Sequence, residues 1–171
     1  RRDDAEYHPR QTDLFSASLV SGELVKVTDR AGSESNPVIS SNGRYLAYTS
    51  AADTRQGYNR AELRVKDLQS GEDRSLTEDL DRSVSDVQWT PDSKRLWISF
   101  NDVGVTRVAE IDLKGRLKQS DIVLGGTALG RPYTSGVFSV GGKGRLAFTL
   151  GRDDRPADLA LMRPGKSPRV L

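Results

Sequence analysis

Residues 87–100 read VQWTPDSKRLWISF. An apolar run through Trp89 meets a polar turn, Pro91-Asp92-Ser93-Lys94, and a second apolar run returns over 96–100. That pattern is a β-hairpin. About fifty residues earlier stands VISSNGRYLAYTS (38–50), turned at Asn42-Gly43, and about fifty later GVFSVGGKGRLAFTL (136–150), turned at Gly141-Gly142. The copies keep register, with Leu46, Leu96 and Leu146 in one matching position and Tyr48, Ile98 and Phe148 in another. A repeat of this length built from strands marks a propeller or an array.

A second hairpin follows each copy. Apolar runs flank Ser70-Gly71-Glu72, Lys114-Gly115-Arg116 and Pro164-Gly165-Lys166, and an earlier one surrounds Ser21-Gly22-Glu23. Glycine there supplies the positive φ of a tight hairpin turn. Two hairpins make a four-stranded antiparallel unit, A-B-C-D. Strands A and B fall at about 37–50, 86–100 and 135–150, and strands C and D at about 62–78, 107–124 and 158–171. The opening hairpin is then a C-D pair without its A-B pair. Arg2-Asp3-Asp4 before Leu14 matches Arg152-Asp153-Asp154 before Leu159, so residues 1–13 stand where a B–C loop belongs. The predicted fold is all-β: a partial propeller over 1–171, with a C-D half blade at 1–28 and blades at 29–78, 79–124 and 125–171. Propellers close with about four to eight blades, so the open ends need cover from further chain or a partner. Strands between blades are packed on both faces, which predicts near-continuous apolar runs and makes Trp89 and Trp97 inter-blade packing residues rather than ligand-stacking ones.

The 171 residues are 35% hydrophobic and 29% charged, with a formal charge of +2. Interleaved charges give no electrostatic footprint for nucleic acid, although the pI is about 9.0. No apolar run approaches the ~20 residues of a bilayer-spanning helix, so no membrane insertion is expected. The absence of cysteine removes disulfides and thiolate metal sites and leaves the compartment open between cytoplasm and periplasm. The sequence begins at Arg1, which fits a processed or truncated product.

Catalytic motifs are missing. There is no Gly-x-Ser-x-Gly elbow, and the one histidine, His8, lies in a polar loop. Gly142-Lys143-Gly144 and Gly165-Lys166-Ser167 lack the remaining positions of a phosphate loop and read as hairpin turns. The segment 53–57, DTRQG, lacks the alternating acids of a calcium loop. Asp153-Asp154, flanked by Arg152 and Arg155, reads as ion pairing rather than as a glycosidase acid pair. No catalytic, cofactor or metal residue is assigned, and the chain alone is expected to hydrolyse no peptide.

The stretches NPVISSNGRYLAY (36–48) and WTPDSKRL (89–96) resemble the P-x-x-S-P-D-G-K-x-(I/L)-A-F repeat of TolB-type and peptidase propellers. Ser41-Asn42 replaces Pro-Asp in one copy, and Val140-Gly141-Gly142 stands in another. With GSESNP (32–37), DVQWTPD (86–92) and RPADL (155–159), the chain is similar to the last propeller blades of the prolyl oligopeptidase family, in its acylaminoacyl-peptidase and dipeptidyl-peptidase-like branch. The resemblance implies a serine peptidase whose α/β-hydrolase domain, outside this sequence, carries the catalytic triad and handles the peptide substrate. The propeller would gate access and dock on that domain. The alternative is a TolB-like propeller that binds protein partners without chemistry, and a glycosidase propeller ranks third. Alternating strand direction places the B–C connections (53–60, 101–107, 151–157) and the D–A connections (29–35, 79–85, 125–134) on one face. Arg55, Tyr58, Arg60, Arg152 and Arg155 give that face the donors and aromatic surface of a polar inter-domain contact.

Overall fold

The computed structural model describes residues 6–8, 10–126, 135–152 and 154–171. Arg2, Asp3, Asp4, Asp153 and the stretch 127–134 lie outside the described residues. Among those described, fourteen strands occur, and the single helical feature is a three-residue 3-10 turn, Gly142–Gly144. Strands β1 (Phe15–Ala17) and β2 (Leu24–Lys26) form a two-stranded antiparallel sheet. A four-stranded sheet follows, β3 (Gly32–Ile39), β4 (Tyr45–Ala52), β5 (Glu62–Asp67) and β6 (Asp73–Ser75), paired in sequence order. The same order recurs in β7 (Val84–Trp89), β8 (Arg95–Asp102), β9 (Val105–Asp112) and β10 (Leu117–Leu124). It recurs again in β11 (Phe138–Gly141), β12 (Arg145–Arg152), β13 (Arg155–Met162) and β14 (Arg169–Val170). The last two sets join through one pair, Leu124 with Leu150. The architecture is all-β: half a blade followed by three four-stranded antiparallel blades of a propeller.

The turns explain why the sequence breaks where it does. In the first A–B turn, Ser40 Oγ donates to Asn42 Oδ1 at 2.7 Å and accepts from the Tyr45 amide at 2.9 Å. Thr90 and Asp92 repeat these bonds fifty residues on, at 2.6 and 3.1 Å. The residue after each acceptor has a positive φ, 72° at Gly43 and 58° at Ser93. Asp for Asn and Ser for Gly therefore preserve one turn. The third copy differs: Gly141 pairs with Arg145, and the reversal falls over Gly142–Gly144 rather than at Gly141-Gly142. In the C–D turns a side-chain oxygen gathers amides ahead of a positive-φ glycine. Asp67 Oδ1 accepts from Gln69 and Ser70, Asp112 Oδ1 from Lys114 and Arg116, and Ser18 Oγ from Val20 and Ser21. These are side-chain turn motifs that compete with continued strand.

Blade-on-blade packing makes the core. In β8, Leu96, Ile98 and Phe100 join Ala47, Leu63, Val65 and Leu76 of the preceding blade. Trp97, on the opposite side of the same strand, joins Leu146, Phe148 and Ala160 of the following blade. Alternate residues of β8 thus feed two different cores, and five consecutive residues are buried. Both tryptophans pack between blades. Trp89 stacks on Tyr45 with ring centroids 5.9 Å apart and donates from Nε1 to the Val38 carbonyl at 2.9 Å.

A hydroxyl in each B strand bonds its A strand, and in the first two copies it does so at a register irregularity. The β3–β4 register shifts between Ser35 and Val38, and the β7–β8 register between Val84 and Val87. Thr49 Oγ1 donates to the Ser35 carbonyl at 3.2 Å, and Ser99 Oγ accepts from the Asp86 amide at 3.2 Å. Thr149 Oγ1 accepts from the Val137 amide at 3.0 Å. The first two hydroxyls bond backbone where the bulge shifts the ladder, whereas Thr149 bonds just ahead of β11, whose register with β12 is unbroken.

Residues 1–13 read as a loop, but Thr12 bridges to Ser33 in parallel. Its amide donates to the Gly32 carbonyl at 3.1 Å, and its carbonyl accepts from Glu34 at 3.1 Å. Local pattern carries no trace of this pairing, because it depends on the chain returning alongside the next A strand.

Candidate inter-domain face

One face gathers the B–C connections and the starts of the A strands. The first B–C connection, 53–60, is a true loop tied by side chains. Arg55 lies at its tip with φ 55°, its amide donating to Asp53 Oδ1 at 3.1 Å. Thr54 Oγ1 donates to Asn59 Oδ1, and Arg10 donates to the Gln56 carbonyl at 3.1 Å. Beside it, Arg10, Thr12, Ser33, Ala51, Asp53 and Asn59 line a concavity of about 330 Å³.

Tyr58 is 67% exposed, with its hydroxyl 2.8 Å from Ser83 Oγ in the adjacent D–A connection. Arg60 holds that connection from within: its guanidinium donates to the carbonyls of Thr77 and Glu78, both at 3.0 Å, and to that of Leu80. Its other terminal nitrogen, Nη2, meets Glu62 at 2.6 Å. Arg60 is therefore a positioning group for the loop that carries Ser83, while Arg55 and Tyr58 supply accessible surface.

The second B–C connection, set at 101–107 by sequence, is much shorter. β8 and β9 pair as far as Asp102 and Val105, leaving only Val103-Gly104 between them. The hairpin is stiffened by charge: Asp102 accepts from Arg82 at 3.1 Å and from Arg107 at 3.2 Å. Arg152 and Arg155 stand opposite one another at the ends of β12 and β13. Arg155 pairs with Asp154 at 3.4 Å and holds that carboxyl below its usual range. Likewise the 29–35 connection is largely strand, since β3 begins at Gly32 opposite Ala52.

No group of three or more histidine or acidic residues arranged for a metal occurs among the described residues. His8 is exposed and far in chemistry from a serine hydrolase triad, with no Gly-x-Ser-x-Gly turn in the sequence. Sequence reasoning missed Gln88 and Val103. Gln88 grips the following blade at both ends of its amide, Nε2 to the Phe138 carbonyl at 2.6 Å and Oε1 from the Val140 amide at 3.0 Å. Gln88 carries no local signal, because Ser85 and Asp86 make β7 polar at other positions too.

The fold and this face define the class: a run of propeller blades with no assembled catalytic centre among the described residues. No family model matches the chain. The chain is 37% identical over 100 residues to dipeptidyl-peptidase 5 of Aspergillus fumigatus, a match covering 57% of this chain and 14% of that relative. It therefore spans only a small part of the relative's length. TolB from Acinetobacter baumannii superposes with a TM-score of 0.64 at 19% identity, over 93% of this chain and 37% of that one. The acylaminoacyl peptidase of Pyrococcus horikoshii superposes with a TM-score of 0.62 at 18% identity, over 91% and 27%. These similarities support a propeller of the kind found in the prolyl oligopeptidase family.

Proposed function

We propose that this chain is the non-catalytic propeller part of a serine peptidase of the dipeptidyl- or acylaminoacyl-cleaving kind, docking through the face just described on an α/β-hydrolase domain and limiting access to its site. The observation that carries this reading is the sequence similarity to dipeptidyl-peptidase 5, well above the identity to TolB. The orientation follows from chain direction. In an up-and-down blade, strand A starts and strand D ends on the face where the B–C connections emerge. Chain continuing beyond β14 would leave on that side. The blade boundaries assigned are 28/29, 78/79 and 124/125, and the docking contact is assigned to Arg55, Tyr58, Arg152 and Arg155, with Arg60 acting through the loop that it holds. A protein-binding propeller of the TolB kind is the second reading, favoured by the superposition with TolB.

The test uses the longer protein that carries this segment, assayed with chromogenic dipeptidyl and acylaminoacyl substrates. Turnover abolished by a serine-reactive phosphonate is the expected result, and its absence would leave the TolB-like reading. Reversing Arg152 and Arg155 to Glu should then lower kcat/KM by about tenfold, the scale of a disturbed polar contact. Lys94, on the opposite face, is the proper control. Arg44 is not, because it forms two bonds to Asp67 Oδ2, at 2.9 and 2.7 Å, inside its own blade.

A further inference from the structure

The β8–β9 hairpin turns through Val103 and Gly104, with φ 47° and 79°. Two consecutive positive φ values in a two-residue connection are the pattern of a type I′ turn, whose first position favours Asn, Asp or Gly. Valine is branched at Cβ and poorly accommodated there. Among the described residues it is the one β-branched side chain held at positive φ; the other non-glycines are Asn36, Arg55, Ser93, Ser135 and Lys143. Nothing within the blades rewards this choice, since Val103 is 86% exposed. The turn itself is rigid: Asp102 beneath it is gripped by Arg82 and Arg107, and Thr106 Oγ1 donates to Asn101 Oδ1 at 2.8 Å. A strained apolar group thus stands at the tip of a braced hairpin, on the face where the B–C connections emerge.

We infer that Val103 is a docking knob, and that its occupant is the hydrolase domain of the same protein, which presents an apolar socket to the hairpin tip. This rests on the proposed function and adds an apolar contact to a largely polar face. The occupant follows from two observations. The matched segment covers only 14% of the dipeptidyl-peptidase 5 it resembles, so most of such a protein lies outside that match. The ion pairs flanking Val103 also make the surroundings a polar rim about an apolar point, the usual anatomy of a specific contact.

The test compares Val103→Asn, Val103→Gly and Val103→Ile in the longer protein. Asn and Gly fit the turn better than valine, so the propeller's unfolding midpoint should hold or rise. Peptidase kcat/KM should nevertheless fall about tenfold or more, as expected when one buried aliphatic contact is lost. Val103→Ile keeps both the strain and the apolar tip and should stay within about twofold of the parent. Val20→Asn, at an exposed turn on the opposite face (99% exposed), should leave activity unchanged. Activity retained in both Val103→Asn and Val103→Gly overturns the knob while leaving the proposed function intact, as does a fall in midpoint that accounts for the loss. A longer protein without phosphonate-sensitive peptidase activity overturns both.

Discussion

Gln88 and Trp89 are neighbours in β7, and their side chains leave the strand on opposite faces. Trp89 bonds the Val38 carbonyl behind it, and Gln88 bonds the Phe138 carbonyl and Val140 amide ahead. Side chains here do the work of ladder hydrogen bonds between sheets that share none along these strands. Gln88→Ala strands a backbone carbonyl and an amide in a half-buried seam, which should cost about 2 kcal/mol in urea unfolding. Trp89→Phe keeps the stack on Tyr45 and loses one bond, so it should cost about 1 kcal/mol. If Trp89→Phe proved the costlier change, ring packing rather than hydrogen bonding would govern the seam. The two partners lie about fifty residues away in sequence, one repeat in each direction. The repeat is legible in the sequence, but the facing of residue 88 toward one neighbour and 89 toward the other depends on strand register.

Among elements, the crossing between the second and third full blades is closely packed. There β10 ends against β12 at Leu124 and Leu150, and the Gly125 amide donates to the Thr149 carbonyl at 2.9 Å. A Cβ on Gly125 would sit 2.6 Å from Ala157 Cβ and 2.8 Å from Gly151 Cα. Neither contact is with a flexible side-chain end, so backbone must move. Gly125→Ala should therefore cost about 2 kcal/mol, within the range of overpacked interiors. Gly43→Ala places its Cβ in open space at φ 72°, and its cost should stay near 1 kcal/mol from conformation alone. Thermal unfolding of the two variants side by side separates crowding from backbone preference. The sequence marks both glycines as breaks in an apolar pattern, without distinguishing a turn from a close approach.

At the scale of the molecule, acid acts on turns within blades and base on a seam between sheets. Asp67, Asp92 and Asp112 are held below the usual carboxylate range, first by hydrogen bonds from Arg44, Thr90 and Arg116 respectively. Their stabilisation is complete above the unfolded value of about 3.9 and fades as pH falls through the lower folded values. Glu34 behaves in the opposite sense. It is 3% exposed at the seam with the half blade, and neither carboxylate oxygen has a hydrogen bond of good geometry among the described residues. Burial pushes its carboxyl up, with Asp13 and Asp73 adding to the rise and Thr28 and Arg30 opposing it. The folded state then binds the proton more tightly than the unfolded one, and stability declines as pH rises from about 4.3 through the raised value. Glu34→Gln should be nearly neutral near pH 4 and stabilising at pH 8, read from urea midpoints at the two values. A stabilising effect that did not grow with pH would mean that Glu34 stays protonated or finds a partner when charged.

By itself the sequence determined the repeat, the strand order within each blade and the family resemblance. These rest on the spacing of Leu46, Leu96 and Leu146 and on turn residues that act within a few positions of one another. Tertiary structure alone decided which connections are loops. The span 101–107 looks as polar as 53–60, yet ladder pairing runs almost to its end and leaves a two-residue turn at Val103-Gly104. It also decided that Arg60 is spent on three carbonyls of the neighbouring connection, that Thr12 pairs with Ser33, and that Val103 stands strained and exposed. Each of these depends on a backbone register or on a partner distant in sequence. A turn is written in four consecutive residues, whereas the cost or use of a side chain is set by what the folded chain brings beside it.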